Sequence, residues 1–220
     1  MKQGLKAARK RRARLVLAGF FAIAGLYSAE NSARGDIVVG WNFNALEPGS
    51  TLLDADTGVG SISLDGLAWE SFQGTSLNAP TKWVGGEALG MRGWAQNDSF
   101  MLVGFESPVT NEVLLSMAAR RSSTGFTDLR AEVLGSAGWV ELGTNRIGIG
   151  WQILTVPIPV EHLQEGASLL RLTIGGATTS QGTVRFDNVR IDAVVVPGPA
   201  GFVALIPAVL LHRRRHCRRC

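Results

Sequence analysis

The residues best suited to chemistry in this 220-residue chain cluster in its first half. Trp83 lies in a loop between Pro80 and Gly86, and Trp94 follows Arg92-Gly93 beside Gln96, Asn97 and Asp98. An aromatic ring offers a flat apolar face on which the C–H side of a sugar stacks, and neighbouring Asn, Gln, Asp and Arg side chains fix hydroxyls. Trp83, Arg92, Trp94, Gln96, Asn97 and Asp98 are therefore the candidate glycan contacts. The competing role for both rings is to plug the ends of a folded domain. Elsewhere catalytic patterns are missing. His162 is the one histidine between residues 36 and 196, and it sits beside Glu161 and Glu165, where a solvated turn accounts for it. No Gly-x-Ser-x-Gly, His-Glu-x-x-His, phosphate loop or dinucleotide fingerprint occurs. Glycoside hydrolysis needs only two carboxylates, but the seventeen acids of the middle segment are scattered. The expectation is a protein with no catalytic residues and no required cofactor. A secreted glycan-active enzyme is the remote alternative.

The charge must be split before it says anything about partners. The overall net charge is +4. Residues 1–35 hold Lys2, Lys6, Arg9, Lys10, Arg11, Arg12, Arg14 and Arg34 against Glu30 alone. Residues 197–220 hold Arg213, Arg214, Arg215, Arg218 and Arg219 and no acid. The middle, with nine basic and seventeen acidic residues, is net −8. An acidic domain repels phosphate, so nucleic acid is not an expected partner. The two cysteines, Cys217 and Cys220, are both in the last four residues, so the middle has neither a disulfide framework nor a thiol nucleophile. Five arginines around them oppose a cation, and His212, His216, Cys217 and Cys220 are read as incidental members of an Arg-rich tail.

Both ends read as addresses. At the start, a basic segment ending at Arg14 is followed by a short apolar run from Leu15 to Tyr27 and small polar residues to Gly35. These are the three parts of a secretory signal peptide, assigned to residues 1–35. At the other end, Val196-Pro197-Gly198-Pro199 precedes the apolar run Ala200–Leu211 and the arginine cluster. Arginines resist passage through a bilayer, so this segment, 196–220, is expected to stop in the inner membrane with its extreme end in the cytoplasm. The arrangement resembles the C-terminal sorting signal of bacterial PEP-CTERM proteins. That resemblance implies an exosortase-type partner that recognises Val196, Pro197, Gly198 and Pro199 and removes the tail. Arg213, Arg214, Arg215, Arg218 and Arg219 would be the cytoplasmic anchor. Gly198 stands where the family consensus has Glu. A permanent single-span anchor is the alternative.

The elements that must position any site lie between residues 36 and 195. Ile37, Val39, Trp41 and Phe43 alternate with smaller or polar residues, as in a half-buried strand. Further strands are expected at 61–64, 67–72, 88–92, 100–105, 113–120, 129–134, 139–142, 152–156, 168–174 and 183–194, with Gly, Asn, Asp and Ser turns between them. One helix-like patch spans Val160–Gly166. Short strands at this spacing predict an all-β fold, a single two-sheet sandwich of jelly-roll type. Trp41 and Trp151 are expected in the core. The closing pattern Phe186-Asp187-Asn188-Val189-Arg190-Ile191 resembles the last strand of galactose-binding-like jelly rolls, found in many carbohydrate-binding modules. The resemblance implies that Asp187 helps to hold a structural Ca²⁺. The alternatives for Asp187-Asn188 are a β-bulge or a cap on a neighbouring loop's amides.

These readings combine into an exported protein, inserted transiently in the inner membrane and then displayed at the cell surface or in the extracellular matrix, with a structural or adhesive role. Contact with extracellular polysaccharide is expected, and a surface-displayed carbohydrate-binding module is the alternative function.

Overall fold

The computed structural model describes residues 36–107 and 113–193. The expected signal segment 1–35, the motif Val196–Pro199, the apolar run after it and the arginine tail lie outside the described residues. No helix among the described residues is long and apolar enough to cross a membrane.

Thirteen strands follow one another: β1 (Ile37–Trp41), β2 (Leu52–Asp54), β3 (Thr57–Gly58), β4 (Gly60–Ser63), β5 (Trp69–Gln73), β6 (Glu87–Arg92), β7 (Phe100–Ser107), β8 (Val113–Arg121), β9 (Asp128–Gly135), β10 (Gly138–Arg146), β11 (Gln152–Ile158), β12 (Gly166–Gly175) and β13 (Thr183–Ala193). They form two antiparallel sheets. The six-stranded sheet runs β10-β9-β12-β7-β4-β2. The seven-stranded sheet runs β11-β8-β13, and beyond β13 it forks. The first half of β13 pairs with β6, which carries β5, and the second half pairs with β1, which carries β3. From β6 onward the chain mostly crosses between sheets, with β9-β10 its one same-sheet hairpin. This is the jelly-roll mode of connection.

Period-two alternation is why these segments are strands, and it is also what builds the core. On β8, Val113, Leu115, Met117 and Ala119 point inward, and on β12, Leu170, Leu172 and Ile174 do. Trp41, Phe126 and Phe186 are the largest fully buried side chains. Phe186 sits on the central strand between β6 and β8, where little can collapse into the space it fills. Phe186→Ala is expected to cost about 3–5 kcal/mol, read as a fall in the urea midpoint with an unchanged slope.

Eleven of the strands fall where alternation placed them. The two it did not mark, β2 and β3, are three and two residues long and carry no repeating apolar face. The helix-like patch is a single 3-10 turn, Val160–His162, and by Gly166 the chain is already in β12. Trp151 is not in the core. Gln152 pairs with Ala119 and Leu154 with Met117, so Leu154, Val156 and Ile158 turn inward. Trp151 is left half-buried on the outer face, and Ile153, 37 % exposed, lies beside it.

The loop Gly74–Gly86 lies on the outer face of the seven-stranded sheet, where Asn78 donates to Ser116 Oγ at 3.2 Å and to Asn188 O at 2.8 Å. A Cβ on Gly40 would lie 2.6 Å from the Trp83 ring, so only glycine lets that ring approach β1 so closely beside Arg190. Toward the start of β13 the outward-facing residues Arg185 and, on β8, Arg120 are half-buried.

Candidate functional site

The outer face of the six-stranded sheet carries two aromatic rings with a guanidinium between them. Register places Arg171 of β12 opposite Glu132 of β9 on one side and Leu102 of β7 on the other. Trp139 of β10 pairs with Leu134, two residues from Glu132, and Phe100 of β7 pairs with Thr173, two residues from Arg171 in the other direction. All four side chains thus leave the same face. The Arg171 guanidinium lies 4.5 Å from the Trp139 ring centroid and 5.8 Å from that of Phe100. It grips Glu132 with two hydrogen bonds, Nε to Oε2 and Nη2 to Oε1, both 2.7 Å, and Arg130 Nε approaches Glu132 at 3.6 Å. Hydrogen bonding from Arg171 holds the Glu132 carboxyl below its ordinary range, with burial opposing, and the same bond raises Arg171. Fork-to-fork pairing fixes the guanidinium plane, and cation–π contact fixes the rings. The result is a preset platform of ring face, planar cation and ring face, with Phe100 42 % exposed.

The residues singled out from sequence are not brought together as one set. Arg92, Trp94, Gln96, Asn97 and Asp98 do share one end of the sandwich, around the 3-10 turn Trp94–Gln96. Most of their polar groups serve the fold. Asn97 clamps Ala177, accepting its N–H at 2.9 Å and donating to its carbonyl at 3.0 Å. Gln96 Oε1 accepts from Ala68 N–H at 3.4 Å. Arg92 pairs with Glu70 at 2.9 Å, and Asp98 takes a left-handed φ of 66° with its N–H on Ile174 O. Trp94 is different, since its ring is 59 % exposed. Trp83 is elsewhere. Arg92 pairs with Thr183, whereas Gly40 under the Trp83 ring pairs with Arg190. That separation along β13 is roughly 23 Å at the usual rise of a strand. The members that sequence reasoning missed, Phe100, Trp139, Arg171 and Glu132, left one usable signal. With Leu170 and Leu172 inward, Arg171 must point out.

Asp187 caps a loop, in the manner of the alternative stated for it. Its Oδ2 accepts Thr75 N–H at 2.6 Å and its Oδ1 accepts Asn188 N–H at 2.8 Å. The register of β13 against β8 shifts between Asp187 and Arg190, and Asn188 sits in that bulge with a φ of 47°. The Asn188 carboxamide donates to Thr75 O at 2.7 Å and Leu77 O at 3.0 Å, and Asn78 Nδ2 donates to Asn188 O at 2.8 Å. Burial pushes the Asp187 carboxyl up to about 6, against the pull of the two amides. A Ca²⁺ site presents a ring of oxygens. Here N–H groups face both carboxylate oxygens, and the adjacent carbonyls already meet the Asn188 amide. This donor set does not fit the ion, and the described residues hold no cluster of three His, Cys, Asp or Glu.

A cavity of about 240 Å³ opens at the rim, with Trp41, Phe43, Leu46, Leu52 and Leu53 as apolar lining and Glu47, Asp54 and Asp56 as its acids. Asp56 is engaged there, its Oδ2 accepting Asn42 N–H at 2.7 Å. The volume is below that of a usual small-molecule pocket.

No protein-family model matches the chain. No curated protein matches it in sequence either. Among solved structures, it is similar to the N-terminal CBM22-1-CBM22-2 tandem domain from Paenibacillus barcinonensis Xyn10C, with TM-score 0.47 and 15 % identity over 76 % of this chain and 48 % of that one. It is also similar to the CBM22-1-GH10 modules of Clostridium thermocellum endo-1,4-beta-D-xylanase 10B complexed with xylohexaose, with TM-score 0.43 and 15 % identity over 73 % of this chain and 29 % of that one. A third is the K1 cleaved adhesin domain of Lys-gingipain from Porphyromonas gingivalis W83, with TM-score 0.41 and 13 % identity over 71 % and 98 %. The chain therefore spans about half of the first of these structures and under a third of the second.

Proposed function

We propose that this chain is a non-catalytic polysaccharide-binding protein, exported and held at the cell surface or in the extracellular matrix. The observation that carries the binding half is the Phe100–Arg171–Trp139 platform. An exposed ring and a half-buried one, preset beside a charged hydrogen-bonding pair, offer what a pyranose needs, namely an apolar face to stack on and fixed donors and acceptors for its hydroxyls. A ligand meeting such a platform encounters side chains already immobilised by one another, so little ordering entropy is lost on binding. Trp94, the most exposed tryptophan at the adjoining end, supplies a further stacking face.

The export half rests on the sequence of the two ends. The signal-like segment 1–35 takes the domain across the inner membrane. The Val196–Pro199 motif, the apolar run and Arg213–Arg219 deliver it to an exosortase-type enzyme, which releases the tail. The test has two arms. Affinity electrophoresis of the chain against a broad panel of neutral polysaccharides is expected to retard it on at least one, and no retardation on any overturns the binding half. Intact mass of the protein recovered from its native envelope is expected to lack about residues 1–35 and everything beyond about Pro197. A tail retained to Cys220 overturns sorting and leaves a single-span anchor.

A further inference from the structure

The domain holds eight arginines, all within the described residues, and six of them are engaged with oxygen acceptors. Arg130 and Arg171 face Glu132, Arg146 pairs with Asp128, Arg190 with Asp192 and Arg92 with Glu70. Arg121 is spent on the carbonyls of Ile147, Ser122 and Ser123. The two that remain, Arg120 and Arg185, have no carboxylate within ion-pair reach among the described residues. They are directly opposite each other on β8 and β13. Like charges directly opposite on neighbouring strands destabilise a sheet. A fold of net charge −8 with acids to spare leaves this pair uncompensated on the outer face of the seven-stranded sheet, where both side chains are half-buried.

The surroundings hold the two guanidiniums in place without neutralising them. Arg185 lies 4.4 Å from the Phe72 ring centroid, and Arg92 lies 5.8 Å from the same ring. Arg120 lies 5.8 Å from the Trp151 ring centroid. Burial, and then Arg120 and Arg92, push the Arg185 guanidinium below its ordinary value, so the cluster repels itself. The Phe72 ring itself lies over Gly90, the partner of Arg185 on β6, where any Cβ would run into it. Planar cations braced on aromatic rings present fixed N–H forks to a planar or tetrahedral anion carried on a ring-shaped body.

We propose that Arg120 and Arg185, with Phe72 and Trp151, form a second binding site, on the sheet opposite the platform, for the carboxylate or sulfate groups of an acidic polysaccharide. The acidic remainder of the domain disfavours a densely charged chain such as nucleic acid and tolerates a polymer whose anions are spaced along sugar rings. This site does not depend on the platform reading, since it uses other residues on the other sheet.

Affinity electrophoresis of the full chain at about 50 mM salt, in gels carrying a polyuronate, a sulfated dextran or unsubstituted dextran, tests it. Both ends of the chain are basic, so the result is read between variants that share them. Arg120→Gln with Arg185→Gln is compared with Lys82→Gln with Arg146→Gln, which removes the same charge from exposed positions elsewhere. The first pair is expected to lose about tenfold or more in affinity for at least one polyanion and the second less than about twofold. Loss for the polyuronate alone names a carboxylate ligand, and loss for sulfated dextran alone names a sulfate. Arg185→Lys keeps the charge and removes the planar fork, and it is expected to lose several-fold. The melting temperature of the Arg120/Arg185 pair is expected to hold or rise, because the opposition between strands is relieved. Equal losses in both pairs, no loss in either, or Arg185→Lys binding as wild type overturns the proposal.

Discussion

Trp139→Ala is expected to weaken binding to the polysaccharide found on the neutral panel by about tenfold or more, with the fold intact. Removing one stacking ring costs on the order of 1–3 kcal/mol when the ring is held rigidly and its face is used. Trp139 is held by the Arg171 guanidinium, and its side chain leaves the outer face, so its loss creates no core cavity. Phe100→Ala should behave alike and more weakly, since the guanidinium lies farther from that ring. Trp94→Ala, at the adjoining end, is expected to cost no more than about threefold, because nothing braces its exposed ring. Arg171→Lys separates bracing from charge. Lysine cannot fork onto Glu132, so affinity should fall although the charge remains. Isothermal titration of each variant, with its melting curve, decides. Trp139→Ala binding as tightly as wild type while still folded would remove the platform from the proposal.

Why the sequence led to the sandwich but not to this platform is a matter of periodicity. Alternation reports which residues face the core, because burial of apolar side chains is what selects it. Leu170, Leu172 and Ile174 marked β12 for that reason, and Val113 to Ala119 marked β8. A platform on the outer face is selected by cross-strand neighbours, and those are set by register. Glu132, Arg171, Phe100 and Trp139 come from four strands, spread from position 100 to position 171 of the sequence, and no local pattern links them. The stretch from Arg92 to Asp98 drew attention because its residues are adjacent in the chain. Adjacency in a tight loop means instead that the polar side chains tie down the loop, as Asn97 does with Ala177. Trp151 was misplaced for a related reason. Its neighbour Ile153 suggested an apolar face, and only the pairing of β11 with β8 shows that Leu154, Val156 and Ile158 form that face. Asp187 is the intermediate case. The Asp-Asn step in a strand announced something irregular, and the choice between ion ligand and loop cap needed the Thr75 and Leu77 backbone, more than 100 residues away.

The largest pH effect is expected from Asp187. Its carboxyl is raised from 3.8 to about 6 by burial, so the folded chain binds its proton more tightly than the unfolded chain does. The stability it contributes is therefore complete below about pH 4, is lost as the pH rises through about 6, and is constant above that. The span corresponds to about 3 kcal/mol at most. Glu132 acts in the opposite sense. Its carboxyl is lowered by Arg171, so its contribution is present above the ordinary carboxylate range and lost in acid. The wild-type profile sums the two, and variants separate them. Asp187→Asn keeps an acceptor for Thr75 N–H and cannot ionise. The difference in unfolding free energy between this variant and wild type, from urea titrations between pH 4.5 and 7.5, is expected to shift toward the variant by roughly 2 kcal/mol as the pH rises. Parallel profiles would mean that the carboxylate is compensated in the folded state, with the Arg190–Asp192 pair and Arg185 on the same strand as the groups to test next. A chain that retains an ionisable carboxylate here, at a cost near neutrality, gains the short bond that Thr75 N–H donates to Oδ2. That bond fastens the start of the Gly74–Gly86 loop, whose Asn78 and Trp83 lie against β13, β8 and β1 on the outer sheet face.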